Sequence, residues 1–211
     1  TVTATSGTLT GSPVTFTATA TNAAATTIAL TSGNSQSATI STSLTDSLVV
    51  RVNDSGGNPV TGTSVTFALG TFPGGATGQA ITTTATTTNA NGLAWTRLTL
   101  GNKVGSYTVT ATSGSLSGSP VTFTSTATNS AATTIALTSG NSQTDTVSTA
   151  LTNPFVVTVT DAGGNPVEGV SVTFAVATTP ASATGQSLST GATTTNSSGQ
   201  ASSTLTLGNK V

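Results

Sequence analysis

The chain has 211 residues, with 4 Lys or Arg against 5 Asp or Glu and a net charge of −1. So little charge supplies neither the basic field that attracts nucleic acid nor a polybasic patch for anionic lipid, which removes nucleic acid from the expected partners. Cys, His and Met are absent, so no disulfide, thiolate metal site, Cys nucleophile or Ser-His-Asp triad can be assembled, and core packing with strand pairing must hold the fold.

Thr, Ser, Ala and Gly fill the balance, and Thr-rich runs suit strands because a β-branched side chain packs well on a pleated surface. The expected class is all-β with essentially no helix. No apolar run approaches the roughly 20 residues of a membrane helix, so this segment is not expected to span a membrane. Absent cysteine fits an exported bacterial chain that avoids oxidative mispairing. Thr1 opens inside a strand pattern rather than a signal peptide, which reads as a piece of something longer.

The chain repeats itself. Thr1 matches Thr108, Pro59 matches Pro166, Phe67 matches Phe174 and Leu100 matches Leu207, a period of 107 residues. Roughly 70% of the aligned positions are identical, as in a tandem array. Residues 1–22 read as the closing hairpin of a preceding or partner repeat, 23–129 as one complete domain, and 130–211 as a domain lacking its last two strands. In chain order the complete repeat offers strands at Thr26 to Leu30, Ala38 to Ser41, Ser47 to Asn53, Gly62 to Leu69, Ala80 to Thr88, Leu93 to Leu100, Tyr107 to Thr112 and Ser119 to Ala127. Short strands at this spacing, separated by Gly, Asn, Pro and Ser, predict an antiparallel β-sandwich.

One turn organises the rest. Asp54, Gly56, Gly57, Asn58 and Pro59 return as Asp161, Gly163, Gly164, Asn165 and Pro166. Glycines supply positive φ, Asp and Asn fold back on their own backbone, and Pro fixes φ on the way out. Further on, Tyr107 opens a strand after the Leu100–Ser106 crossover, where its hydroxyl either ties the loop back to backbone as a tyrosine corner or simply packs. A sandwich lacking two strands exposes edge backbone and core side chains, so something must close the second repeat. Two sources are open: further chain in a continuous array, or Thr1 to Thr21 of another subunit.

The run Asp161-Ala162-Gly163-Gly164-Asn165-Pro166-Val167-Glu168-Gly169-Val170-Ser171-Val172-Thr173-Phe174, with Thr195-Asn196, Gly199-Gln200-Ala201, Leu205-Thr206-Leu207 and Tyr107-Thr108-Val109-Thr110-Ala111, resembles the bacterial Ig-like domains of group 1. These are the modules of invasin- and intimin-type adhesins. The resemblance implies tandem Ig-like antiparallel β-sandwiches that serve, without enzymatic activity, as rigid spacers on a bacterial cell surface or secreted fibre. Expected partners are neighbouring repeats or copies of the chain itself, with a host glycan or protein as the alternative.

Catalysis has one remaining route, a carboxylate pair, for which Asp161 and Glu168 flank one turn. The first repeat has Thr61 where the second has Glu168, and a turn-capping Asp beside a solvated Glu explains both residues. Calcium wants roughly six to eight oxygens, and Asp46, Asp54, Asp145, Asp161 and Glu168 form no acidic cluster in sequence, so neither metal nor cofactor is expected. A difference between the repeats is more informative. Leu98 and Leu100 match Leu205 and Leu207, placing that phase in the core and Leu93, Trp95 and Arg97 outward; Val50 and Val52 likewise turn Val49 and Arg51 outward. In an Ig-type sandwich these strands are neighbours. The five residues form either a contact patch rich in the aromatic and Arg side chains that protein interfaces favour, or a solitary cluster with Arg stems over the indole. Thr and Ser on outward positions suit O-linked sugars, and Asn53 and Asn196 begin Asn-x-Ser patterns.

Overall fold

The structure is a computed structural model describing residues 1–211. It is all-β. The chain opens with β1 (Val2–Ala4) and β2 (Val14–Phe16), then runs through β3 (Ala25–Ser32), β4 (Gln36–Thr39), β5 (Leu48–Asp54), β6 (Ser64–Leu69), β7 (Ala80–Ile81), β8 (Ala85–Thr87), β9 (Leu93–Thr96), β10 (Leu98–Thr99), β11 (Gly105–Thr112) and β12 (Val121–Thr128). There follow β13 (Ala132–Ser139), β14 (Phe155–Asp161), β15 (Ser171–Thr173), β16 (Ser187–Leu188), β17 (Ala192–Thr194), β18 (Gln200–Ser203) and β19 (Leu205–Thr206).

Strands β3 to β12 build an Ig-like sandwich. One sheet has the order β4-β12-β11-β6-β8, the facing sheet β3-β5-β9, and β10-β7 closes one side. Alternation explains the filling. Leu48, Val50 and Val52 on β5 face Val65 and Phe67 on β6, Val109 and Ala111 on β11, and Phe123 on β12, within a core of 17 buried apolar residues. Thr, Ser and Arg occupy most of the outward phase, so one face of each strand is apolar and the other solvated.

Two expected strands are broken. Ala80 to Thr88 divides into β7 and β8, and Leu93 to Leu100 divides into β9 and β10, because the chain changes sheet at these points: β9 pairs with β5, while β10 pairs with β7. Hydroxyls replace ladder bonds at the crossing, where Thr82 Oγ1 accepts from Arg97 N at 3.0 Å and Thr96 Oγ1 accepts from Thr83 N at 3.1 Å. Strand β4 also lies at Gln36–Thr39 rather than Ala38 to Ser41, in parallel register with Ser125 to Thr128 of β12.

Strands β13 to β19 repeat part of this plan, as sheets β13-β14-β18, β15-β17 and β16-β19. No strand stands beside β15 where β11 stands beside β6. The effect on nearly the same sequence is large. Ser64–Leu69 is a six-residue strand, whereas only Ser171–Thr173 of the matching segment is a strand. Gln36–Thr39 pairs with β12, and residues 143–146, which match it, carry no strand. Core side chains follow: Ile28 is 2% exposed and Ile135 is 58% exposed. The hairpin β1-β2 stands alone as a two-stranded sheet, with Val2, Val14 and Phe16 exposed.

Candidate functional site

The turns that the sequence singles out are built alike. Asp54 Oδ1 accepts from Gly56 N and Asn58 N, both at 2.9 Å, and the Asn58 amide bonds both carboxylate oxygens at 3.2 and 3.1 Å. Gly57 at φ 81° accommodates the reversal, and Asn53 bridges Pro59 on the way out. In the second copy Asp161 Oδ1 accepts from Gly163 N, Asn165 N and Asn165 Nδ2, each at 2.9 Å. Gly164 takes φ 72°. Asn58 side-chain and then backbone bonds hold the Asp54 carboxyl below its ordinary value of 3.8, against burial, with Ala23 N and Gly56 N helping. Burial pushes the Asp161 carboxyl up, and the bonds from Asn165, Asn129 and Gly163 outweigh it and leave it below that value.

The two turns differ in what covers them. The loop Gly101 to Val104 of the first sandwich lies on the second turn. Lys103 Nζ donates to Gly163 O at 2.7 Å, Asn165 Nδ2 donates to Asn102 O at 3.0 Å, and Val104 N donates to Asn165 Oδ1 at 3.3 Å. Asn129 reaches Asp161 Oδ2 and Pro166 O, and Ser130 N also bonds Asp161 Oδ2. A Cβ on Gly163 would collide with the Asn102 carbonyl, so this close approach requires glycine. Asn165 is 7% exposed. Around the first turn, Asn22 Nδ2 reaches Pro59 O and Ala23 N reaches Asp54 Oδ2, but no loop lies over it and Asn58 is exposed.

Lys103, Asn102 and Asn165 thus form a joint that sequence reasoning missed, although it named Asn165 as a turn residue. A signal existed: Gly101-Asn102-Lys103-Val104 recurs unchanged as Gly208-Asn209-Lys210-Val211. The same loop is braced from within by Tyr107, whose buried hydroxyl donates to Lys103 O at 2.7 Å and whose ring stacks on Phe72 at 6.5 Å between centroids.

Val49 lies opposite Trp95, and Arg51 opposite Leu93, on the β5-β9 pair. Trp95 is 49% exposed, Arg51 and Arg97 are exposed, and Val49 and Leu93 are half-buried. Four of the five patch residues therefore share one sheet face. Arg97 sits past the end of β9, at the crossing between sheets. Asp161 is buried with both oxygens engaged by its turn and the joint, while Glu168 is exposed.

The fold and the joint define a class: an all-β protein of Ig-like β-sandwich architecture. Among solved structures it is similar to the D0-D1 domain of intimin, at 22% identity and a TM-score of 0.36, over 87% of this chain and 85% of that one. It is also similar to the Escherichia coli adhesin FdeC, at 21% identity and a TM-score of 0.46, over 88% of this chain and 57% of that one. The Yersinia pseudotuberculosis adhesin InvE matches at 18% identity and a TM-score of 0.39, over 85% of this chain and 51% of that one. The chain thus spans little more than half the length of the two adhesins. No protein-family model and no curated protein matches the chain.

Proposed function

We propose that this chain is a non-enzymatic structural segment of a bacterial extracellular adhesin or fibre, at the cell surface or in a secreted filament, acting as a stalk. In this reading residues 23–129 are one complete domain, 1–22 the closing hairpin of a neighbouring repeat, and 130–211 a domain awaiting its last two strands. What carries the reading is the joint: the Lys103, Asn102 and Asn165 bonds, together with Asn129 and Ser130 on Asp161, tie each side of the short connection to the other. Several bonds across a linker of few residues restrict bending, and repeated modules so joined give length. The test is small-angle scattering with paired spin labels, one on each side of the joint. A single narrow distance distribution that broadens in Lys103→Ala/Asn165→Ala supports a stalk; a broad distribution in the unmodified chain counts against it.

A second reading is favoured by one observation, the half-exposed Trp95 beside Val49 and Leu93. On this reading the patch contacts a glycan or host protein. Glycan and receptor arrays probed with the chain and with Trp95→Ser separate the readings, since a stalk segment yields no Trp95-dependent signal.

A further inference from the structure

The outward face of the β3-β5-β9 sheet differs between the two repeats in a way that neither the core nor the turns require. Two cross-strand rows build it. Ser32, Val49 and Trp95 stand opposite one another in one row, and Ala29, Arg51 and Leu93 in the next. Arg97 follows two residues after Trp95, where the chain leaves this sheet. On β13-β14-β18 the same rows read Ser139, Val156 and Ser202, then Ala136, Thr158 and Gln200, and Thr204 takes the place of Arg97. The edge-strand residues and the valine are kept. Trp95, Arg51, Leu93 and Arg97 all give way to uncharged polar side chains, so the same sheet is built with and without them.

Charge says what the face is suited to meet. Arg51 and Arg97 are the only arginines of the chain, and they flank its only Trp. Both guanidiniums are exposed, and neither bonds an acceptor of the chain. At Arg97 only the main chain is engaged, its N–H donating to Thr82 Oγ1 and its carbonyl accepting from Thr82 N, both at 3.0 Å. The repeats have few carboxylates to offer in return. Asp54 and Asp161 are held by their own turns, while Asp46, Asp145 and Glu168 are exposed singly on different segments. Neither repeat presents a cluster of acids, so the counter-charge for this face comes from a partner of other chemistry.

We propose that this face binds an acidic polysaccharide, with one sugar ring stacked on the Trp95 indole and carboxylates of the sugars on either side bonded by Arg51 and Arg97. The proposal rests on the contact reading of Trp95 and names the partner. A sugar ring has an apolar C–H face that covers an aromatic plane, and the half-exposed indole offers such a plane. A planar carboxylate takes two parallel bonds from a guanidinium, the geometry for which Arg is better suited than Lys. Arg51 lies in the row of Leu93 and Arg97 four residues further along, a separation of about 13 Å at ~3.4 Å per strand residue. That is too far for one carboxylate and suits acids on two sugars that flank the stacked one. The cavities of the chain are lined by other residues. Ala29 and Ser32 are short, so the indole and the guanidiniums stand above an open sheet across which a linear polymer can lie, whereas a small sugar would need a cleft.

Isothermal titration of the 211-residue chain with oligosaccharides of hyaluronan, alginate and polygalacturonate, all rich in uronic acid, tests this directly. At least one is expected to bind at a single site per chain, more weakly as salt is raised, and chitin oligosaccharide of the same length, which is uncharged, is expected to bind about tenfold more weakly or not at all. Trp95→Ala is expected to lower affinity about tenfold. Arg51→Gln and Arg97→Gln each lower it about fivefold, and Arg51→Lys/Arg97→Lys, which keeps the charge and loses the fork, recovers only part of the loss. All three side chains are exposed, so thermal unfolding is expected to be the same in every variant, which separates lost binding from lost fold. No binding to any of the three acidic oligosaccharides overturns the proposal, and so does binding indifferent to Trp95→Ala, which marks attraction by charge alone. If the Trp95-dependent ligand is instead chitin oligosaccharide or a protein on the receptor array, the acidic partner is wrong and the contact reading stands. If no ligand on any array depends on Trp95, both fail.

Discussion

The Tyr107 hydroxyl and the Asp161 carboxylate each do a local task whose effect reaches the joint. Tyr107 fixes Lys103 O at 2.7 Å, and Lys103 in turn holds Gly163 O. Tyr107→Phe keeps the ring in the core and leaves a buried carbonyl without its donor, which costs about 1 kcal/mol in chemical denaturation. Asp161 contributes to the pH dependence alongside Asp54, whose carboxyl is also held below its ordinary value. The folded-state pKa of Asp161 lies below the ordinary 3.8, so the folded chain binds fewer protons than the unfolded chain around that pH. Its contribution to stability is therefore complete above the ordinary value and disappears as pH falls through the lower, folded-state pKa. Asp161→Asn flattens this acid limb in pH-dependent melting. Trp95 stands apart from both: half-exposed on its sheet, its replacement by Ser changes unfolding stability by no more than about 0.5 kcal/mol.

The element that matters most is the hairpin. Phe123 on β12 is buried among Phe67, Val109 and Tyr107 in the main core, while Phe16 occupies the same place in the same motif and is exposed. Phe123→Ala is expected to destabilise the first sandwich by about 3–5 kcal/mol, through lost transfer energy and the cavity left behind. Phe16→Ala in the dilute chain shifts the melting temperature negligibly. The pair is a controlled comparison, since two side chains of one type in one local sequence differ only in what stands opposite. Isolated two-stranded hairpins are marginal in water, so β1-β2 is also the first element expected to lose amide protection in hydrogen exchange.

Across the whole molecule stability is unequal. The first sandwich holds a cluster of 17 buried apolar residues, whereas the second has a cluster of three, Val159, Val172 and Ala201, with Leu151 buried apart from it. Apolar burial is the main favourable term in folding, so calorimetry of the dilute chain is expected to show two transitions, with the second unit melting first. Val159→Ala should lower the first transition alone, and Val50→Ala the second alone. If both variants lower one shared transition, the joint couples the two units into one cooperative body.

Much of this was legible along the chain. Leu48, Val50 and Val52 on β5, with Val65 and Phe67 on β6, declare their faces by alternation, because a strand's side-chain period is two wherever it runs. The Asp-x-Gly-Gly-Asn-Pro turn is equally local, its bonds closing within a few residues of Asp54. The break of Leu93 to Leu100 at Arg97 was not legible, because the alternation of inward and outward residues continues through the crossing, with Thr96 buried, and only the pairing of β9 with β5 and β10 with β7 interrupts the strand. The joint was hidden for a similar reason. Lys103 and Gly163 are 60 residues apart, and a lysine in a loop reads as solvated until the fold brings a carbonyl to it. Local periodicity and turn chemistry thus determined the all-β class, the repeat and the inward faces. That residues 1–22 stand outside a complete repeat, and that 130–211 lack two strands, is already an expectation from the 107-residue period; where the chain changes sheet and which turn carries a loop depend on contacts distant in sequence, and only the tertiary structure decided them.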